Sequence, residues 1–448
     1  MTADATRRRL TLLDATCIMV GIVVGSGIFA TPADVARASP NLLMFFGIWI
    51  AGGIASLLGA MCFAELATRY PEDGGIYAYL TRAFGPWAGF LFAWADFWIV
   101  RPANVGAVAF VLGAYVQAVL PLPHYGELTY SVAAVAVTTA VHLCGLQVGR
   151  WSQNVMTLAK VLGLMLIVGA AITMPAGAAR TSLTEVTPID WPQAWVLVMF
   201  CYGGWSDLTN VAAEVREPAR NMLRALVLGV AAITALYLAI NAAAVYTLGL
   251  ETLAASQAMA VELVEARLQA VNVASEPTGW GGPLVSLLVA IACLSSLSGV
   301  AFTGARIYFA LGTHNRCFAW LARWDAQRHT PPLSLMAQGA ISCLLLVVAG
   351  QNQNGFERLV IFAGPCYWGF TLLASLAVIV LRVRDRKTPV PFRTPLYPVT
   401  PILFAGVCGW LVLAAVEYLL GHWEIEAWYS LGVLAIGAIV AFITTKKN

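Results

Sequence analysis

Gly25, Ser26 and Gly27 stand side by side in a long apolar stretch that reads GIVVGSGIFATP from Gly21 to Pro32. A second soft spot, MFCYGGWSDLTN from Met199 to Asn210, centres on Gly203 and Gly204. A lysine, Lys160, lies within the apolar run NVMTLAKVLGLMLIVGA. A helix broken in mid-course frees N–H groups at the start of one half and carbonyls at the end of the other. The N–H end, with its positive dipole, holds an anion, and the carbonyl end attracts a cation. One break therefore offers complementary ends to a zwitterion without needing a charged side chain. An α-amino acid, with carboxylate and ammonium one carbon apart, matches that arrangement.

Other chemistries find no footing. No HExxH, P-loop or GxSxG-type signature is present, and the five histidines are scattered. The nine cysteines form no CxxC pair and sit mostly in apolar runs, so they read as small packing residues rather than disulfides or metal ligands. A net charge of +3 gives no reason to expect a nucleic-acid partner. No channel-type filter or ring-forming charged helix stands out. The chain is expected to be no enzyme and to need no cofactor or metal.

The elements that must position these groups are membrane helices. The 448 residues are 60% hydrophobic and 11% charged, too little charge to cover a soluble surface. At roughly 20 apolar residues per crossing, about twelve spans are expected. Their limits are 14–37, 41–68, 86–119, 127–147, 151–174, 191–214, 221–248, 283–311, 332–350, 357–381, 398–419 and 427–445. The polar connection from Glu251 to Pro283 reads as an external loop with a short helix in ETLAASQAMAVELVEARL. MTADATRRRL leads straight into a segment too long for a signal peptide's apolar region, so none is expected.

Cations fix the orientation. Arg7, Arg8, Arg9, Arg69, Arg82, Arg150, Arg216, Arg220, Arg316, Arg323, Arg328, Arg382, Lys387, Arg393, Lys446 and Lys447 all fall on one side of an even-numbered topology. The other side holds little beyond Arg180 and Arg267. The positive-inside rule then places both termini in the cytoplasm and the chain in the inner (plasma) membrane. Spans one and six each open a run of five. Soft spots at corresponding places in two halves point to an inverted-repeat transporter with a midplane site. Close packing of small residues is the plainer explanation for either glycine pair alone.

Several segments together, GSGIFATP, GAMCFAELATRYPEDGGIYAYL, IVRP, FCYGGWSDLTNVAAEVREPARN and AFTGARIYFAL, resemble the amino acid–polyamine–organocation (APC) superfamily. Within it the chain is most similar to the L-type amino acid transporter (LAT) family and its bacterial relatives, from span one through at least span ten. The resemblance implies an all-α polytopic fold of LeuT type. That fold is a five-plus-five inverted repeat (14–174 and 191–381) followed by two further helices (398–445). It also implies alternating-access transport of amino acids, in this family often by sodium-independent exchange. Ser26, Gly27 and Ile28 match the carboxylate-binding amides, with Gly25 at the break and the carbonyls of Ile22 and Val23 facing the ammonium. Phe200 matches an aromatic outer gate, and Cys201, Tyr202 and Gly203 would line the unwound part of span six. Animal members link to a heavy-chain glycoprotein through a cysteine between spans three and four. Here that loop, LPLPHYGE from Leu120 to Glu127, has none, so no disulfide-linked heavy chain is expected.

Lys160 lies about ten residues into its span, roughly 15 Å of helix at 1.5 Å per residue. Snorkelling is strained from that depth, which makes a functional role the default. The resemblance places Lys160 where sodium-coupled relatives hold a cation between spans one, five and eight. Its ammonium would bridge a freed carbonyl near Gly25 to a hydroxyl on span eight, Ser296 before Ser295. As a fixed cation it makes sodium unnecessary; as a titrating one it makes the protein a proton symporter.

Asp96 and Arg101, five apart in span three, are expected not to face each other on an α-helix and to pair with other helices. Glu65, Arg69 and Asp73 suit either a cytoplasmic gate or a solvated loop; Glu214, Arg216 and Glu217 suit gate or structural charges. Asp207 fits the start of a half-helix, but it would approach the ligand, and admit a cationic one, if span six stayed unwound that far. With no charged side chain clearly lining the site, neutral L-amino acids are the expected substrates. Asn104, Cys293 and Trp368 cannot be placed by periodicity.

Overall fold

The computed structural model describes residues 8–173, 191–256, 258–271, 281–349, 355–422 and 425–445. Arg7, Arg180, Lys446 and Lys447, which helped fix the orientation, lie outside the described residues, as does the side chain of Arg267. Among the described residues the chain is helical, with only two isolated bridges, Leu10 to Val215 and Asp325 to Thr330.

The first helix, α1 (Leu12–Val23), opens at a capping box. The Asp14 amide donates to the Thr11 hydroxyl at 3.2 Å, and the Thr11 amide to the Asp14 carboxylate at 2.8 Å. It stops at the glycine-serine-glycine triplet, and α2 (Gly27–Ala38) resumes beyond it. Next come α3 (Leu42–Arg69), capped by Asn41, α4 (Ile76–Phe84) and α5 (Pro86–Ala95). One π-helical turn, Asp96–Val100, leads from α5 into α6 (Arg101–Val119). Then follow α7 (Gly126–Leu143), α8 (Leu146–Ile172) and α9 (Trp191–Cys201).

The second break separates α9 from a 3-10 segment, Trp205–Glu214. Past it run α10 (Pro218–Leu248), α11 (Leu250–Ala255), α12 (Met259–Val271) and α13 (Gly281–His314). A 3-10 turn at Arg316–Ala322 precedes α14 (Pro332–Ala349), α15 (Gly355–Arg384), α16 (Val399–His422) and α17 (Ile425–Thr445).

Seven of the described stretches are long and apolar enough to cross a membrane, among them Leu42–Arg69, Pro86–Val119 and Gly281–His314. Leu12–Val23 is apolar but short, as a helix interrupted midway must be. The Glu251–Pro283 connection holds two helices, α11 and α12, rather than one. Leu253, Met259 and Leu263 on them are buried, so this connection packs onto the body through α2 and α13.

The π turn overturns one expectation. Asp96 and Arg101 do face each other, with the Arg101 guanidinium 3.3 Å from the Asp96 carboxylate. A π turn bonds residue i to i+5, here the Arg101 amide to the Asp96 carbonyl, and so stacks side chains that an ordinary α-helix would splay.

Helix α1 sits at the centre, packed against α8, α10 and α13, while α2 packs against α9. The two breaks meet. A side chain at Gly27 would stand 2.6 Å from the Cys201 sulfur. One at Gly204, whose φ is +95°, would stand 2.5 Å from Cγ2 of Ile22.

Candidate functional site

A helix end leaves its last four carbonyls without intrahelical partners. At the end of α1 all four find side-chain donors. Lys160, fully buried on α8, donates from Nζ to the carbonyls of Gly21 at 2.7 Å and Val24 at 2.6 Å. The Ser296 hydroxyl on α13 lies 2.9 Å from the Gly21 carbonyl and 3.0 Å from that of Ile22, with one proton to share. The Tyr237 hydroxyl on α10 stands 3.0 Å from the Val23 carbonyl and 2.9 Å from that of Cys201, tying the two breaks together.

This differs in detail from the bridge expected for Lys160. The ammonium meets two carbonyls, and its link to Ser296 runs through the Gly21 carbonyl that both groups reach. Ser295 sits in a separate network with Thr157 and Gln153, at 3.2 Å from each. The Ile22 carbonyl already accepts Ser296 and keeps a second lone pair, whereas the Val23 carbonyl accepts both the Tyr237 hydroxyl and, at 2.9 Å, the Gly25 amide. Tyr237 carried no sequence signal: nothing in its apolar helix marks one tyrosine as reaching both breaks.

On the amide side, α2 starts at Gly27, and the first turn-back bond runs from the Phe29 amide to the Ser26 carbonyl at 3.1 Å. The amides of a helix's first turn have no intrahelical acceptor. The Ser26 hydroxyl beside them is buried and without a hydrogen-bond partner. At the second break the Gly204 amide donates to the Tyr367 hydroxyl at 3.3 Å.

Both breaks open onto a cavity of 530 Å³. Ile22, Val23, Gly25, Ser26, Gly27, Phe200, Cys201, Gly203 and Ser296 line it. Ile28 and Tyr202 do not; each is 1% exposed, and the Tyr202 hydroxyl donates instead to the Trp49 carbonyl at 3.1 Å. Lys160 acts on the wall from behind. Asn104, Tyr367 and Trp368 also line the wall, whereas Cys293 is buried away from it.

One expectation about the wall is corrected. Among the described residues two charged side chains do line the cavity, Asp207 beyond the second break and Glu417 on α16. Asp207 reaches the wall because the backbone after Gly204 is drawn into a 3-10 coil instead of resuming an α-helix. It is held by Arg101, whose Nη1 donates to its carboxylate at 2.6 Å, and Arg101 also contacts Asp96 at 3.3 Å. The Tyr308 hydroxyl on α13 donates to Asp96 at 2.9 Å.

From the break the cavity follows α9 back toward Pro192 and Gln193 at its start. The opposite end is closed by buried charge. Glu214 pairs with Arg306 at 2.8 Å, and Glu65 with Arg382 at 2.6 Å. Arg69 bonds the Asp385 carbonyl, and Leu10 straps the N-terminal segment onto Glu214 and Arg216 through backbone bonds of 2.9 and 2.8 Å. With Glu65 1% and Arg69 6% exposed, neither lies in a solvated loop.

Comparison with known proteins agrees with this anatomy. The amino acid permease family model matches residues 10–441. The b(0,+)-type amino acid transporter 1 of Mus musculus is 29% identical, over 92% of this chain and 83% of its own length. The serine/threonine exchanger SteT of Bacillus subtilis is 26% identical over 89% and 88%. The cystine/glutamate transporter of Homo sapiens is 27% identical over 91% and 80%. With the matched family covering nearly its whole length and its long apolar helices able to span a bilayer several times, the chain belongs to the amino acid permease family of the APC superfamily, as a multi-pass membrane protein akin to the LAT-type transporters.

Proposed function

We propose that this protein carries neutral L-amino acids across the inner membrane by alternating access, mainly by exchange and without sodium. The observation that carries the reading is the cavity at the two breaks. One rim offers the unpartnered Ser26 hydroxyl beside helix-start amides, the other the carbonyls at the end of α1. A carboxylate and an ammonium on one carbon satisfy both rims at once. The arginine clamped to Asp207 offsets the carboxylate's charge on the wall and suits neutral side chains.

Residues 14–174 and 191–381 then act as two inverted repeats, each with its break in its first helix, and 398–445 as two added helices. About twelve crossings leave both termini in the cytoplasm. In that orientation the cavity opens outward past Phe200, and the ion pairs around Glu214 and Glu65 form the closed inner gate. Alternating access requires those pairs to part as the outer path closes. The cysteine-free Leu120–Glu127 loop supports a carrier without a disulfide-linked partner.

Sodium independence follows from Lys160, whose ammonium occupies two carbonyls that a metal ion would otherwise have to satisfy. The complete burial of that amine favours a second reading, in which it exchanges a proton in each cycle. Uptake of labelled amino acids into proteoliposomes, empty or preloaded, with sodium and pH gradients varied independently, separates the two. Uptake that requires internal substrate and ignores both ions supports exchange. Concentrative uptake into empty vesicles, driven by an inward proton gradient, overturns it in favour of symport.

A further inference from the structure

We propose that the loop between α15 and α16 binds the phosphate headgroups of anionic lipids in the cytoplasmic leaflet, and that lipid bound there favours the closed inner gate. The inference goes beyond the reading of the cavity and rests on that reading only for the gate and its side of the membrane. Position comes first. The loop joins two stretches long and apolar enough to cross a membrane, Phe362–Arg384 and Val399–Glu417. Both of its ends are thus held at one membrane surface, within reach of the headgroups.

Charge comes second. Arg384, Arg386, Lys387 and Arg393 are all exposed. Arg384 donates to the Ala83 carbonyl at 2.7 Å and Arg386 to that of Val383 at 3.3 Å, so neither bond neutralises a guanidinium. The loop's own acid, Asp385, accepts from the hydroxyls of Tyr70 at 2.7 Å and Thr388 at 2.8 Å, while the nearby Glu65 and Glu72 pair with Arg382 and Arg82. Positive charge is left over, and arginine's planar fork of donors suits a phosphate. Leu396 stands among these cations, 79% exposed and at φ +51°, a left-handed backbone rare for a leucine. Pro389, Pro391 and Pro395 are exposed beside it. Basic and apolar side chains interleaved in this way match the boundary between headgroups and acyl chains. A phosphate dissolved in water would use the cations and leave the leucine uncovered.

The same loop is built onto the buried charges of α3. Arg382, in the last turn of α15, donates to Glu65 at 2.6 Å, and the Thr394 amide donates to the same carboxylate at 2.7 Å. The Thr394 hydroxyl adds a bond to the Met61 carbonyl at 3.2 Å. Arg393 therefore adjoins one residue that clamps Glu65, and Arg384 lies one turn's width from the other. Headgroups that hold these arginines in place hold the clamp as well. A ligand that binds one conformation better shifts the population toward it, here toward the state with Glu65 clamped.

The purified full-length protein is tested first in neutral detergent. Phosphatidylglycerol raises its unfolding temperature more than the same amount of phosphatidylcholine does, and inorganic phosphate leaves it unchanged. The triple variant Arg386→Gln, Lys387→Gln, Arg393→Gln, with Arg382 and Thr394 in place, loses that difference. Each basic residue near an anionic surface strengthens the attraction roughly fivefold, so the variant binds phosphatidylglycerol about a hundredfold more weakly. High salt abolishes the difference in wild-type protein, the readout that remains if the variant does not fold. Proteoliposomes then read the gate. Adding phosphatidylglycerol to phosphatidylcholine vesicles lowers the apparent KM for an external labelled neutral L-amino acid threefold or more in the wild type and not in the variant. Equal stabilisation of variant and wild type overturns the inference, as does a shift that persists in full at high salt or a KM that ignores the lipid. Stabilisation by inorganic phosphate overturns it too, in favour of a free-anion site. Vesicles that carry no amino acid, with the lipid stabilisation intact, overturn the carrier reading and the gate effect and leave the headgroup site standing.

Discussion

Replacing Gly204 by alanine probes whether the two broken helices must touch as closely as they do. Gly204 has φ +95° and ψ −12°, a left-handed conformation that costs an alanine about 1–2 kcal/mol. Its new methyl would also stand 2.5 Å from Cγ2 of Ile22. Ile22 cannot turn aside easily. It is β-branched and stiff at χ1, and its other face lies against Gly299, where a methyl would stand 2.5 Å from Cγ1. Forcing a methylene-sized group into such a contact costs about 1–3 kcal/mol, so the total loss is about 2–5 kcal/mol.

Thermal unfolding of the purified protein in detergent measures that loss, and a double-mutant cycle divides it. Ile22→Ala destabilises on its own account by opening a cavity, but it also removes the methyl that Gly204→Ala strikes. The two substitutions should therefore couple favourably by about 1–3 kcal/mol, the steric share, while the backbone share persists in the double variant. Gly204→Ala unfolding at the wild-type temperature would falsify the claim that this contact is both strained and tight. A cycle that closes with no coupling would assign the whole cost to the backbone and refute the wedge between Gly204 and Gly299.

Three further outcomes follow from the same geometry. Lys160→Met removes two charged hydrogen bonds, each worth about 1.5–3 kcal/mol, and should slow exchange in preloaded proteoliposomes tenfold or more; an unchanged rate would show that the carbonyls need no cation. Tyr237→Phe deletes the proton shared by the Val23 and Cys201 carbonyls and should destabilise by about 1–3 kcal/mol in thermal unfolding, with a weaker apparent substrate affinity in competition assays. Glu214→Gln strands Arg306, which is 0% exposed, and should cost about 3–5 kcal/mol, whereas Glu72→Gln, at the exposed pair with Arg82, should cost less than about 1 kcal/mol; equal melting of the two variants would contradict the burial difference.

Most of the architecture was legible in the residues, because membrane helices announce themselves through length and composition. Helix ends fell within a few residues of the expected limits for Leu42–Arg69, Pro86–Val119 and Pro218–Leu248. Both breaks lay where glycines interrupt apolar runs, since glycine is a weak helix former and nothing else in those runs explains it. Lys160 was legible for a similar reason: an amine that deep in an apolar span is too expensive to be idle.

The tertiary structure alone decided which groups meet. Tyr237 sits in an ordinary apolar helix and matters only because α10 packs across both breaks. The pairing of Asp96 with Arg101 depends on a π turn that no residue spacing announces, and α-helical periodicity argued against it. Asp207 joined the cavity wall because the chain after Gly204 coils as 3-10 instead of resuming an α-helix. Ile28 faces away from the cavity although it adjoins residues that line it, since one residue's step along a helix turns the side chain by about 100°, and Tyr202, in the break itself, is turned away toward the Trp49 carbonyl. Local composition sets where a helix runs and where it breaks. The rotation of each face and the charge across from it are set by the packing of helices distant in sequence.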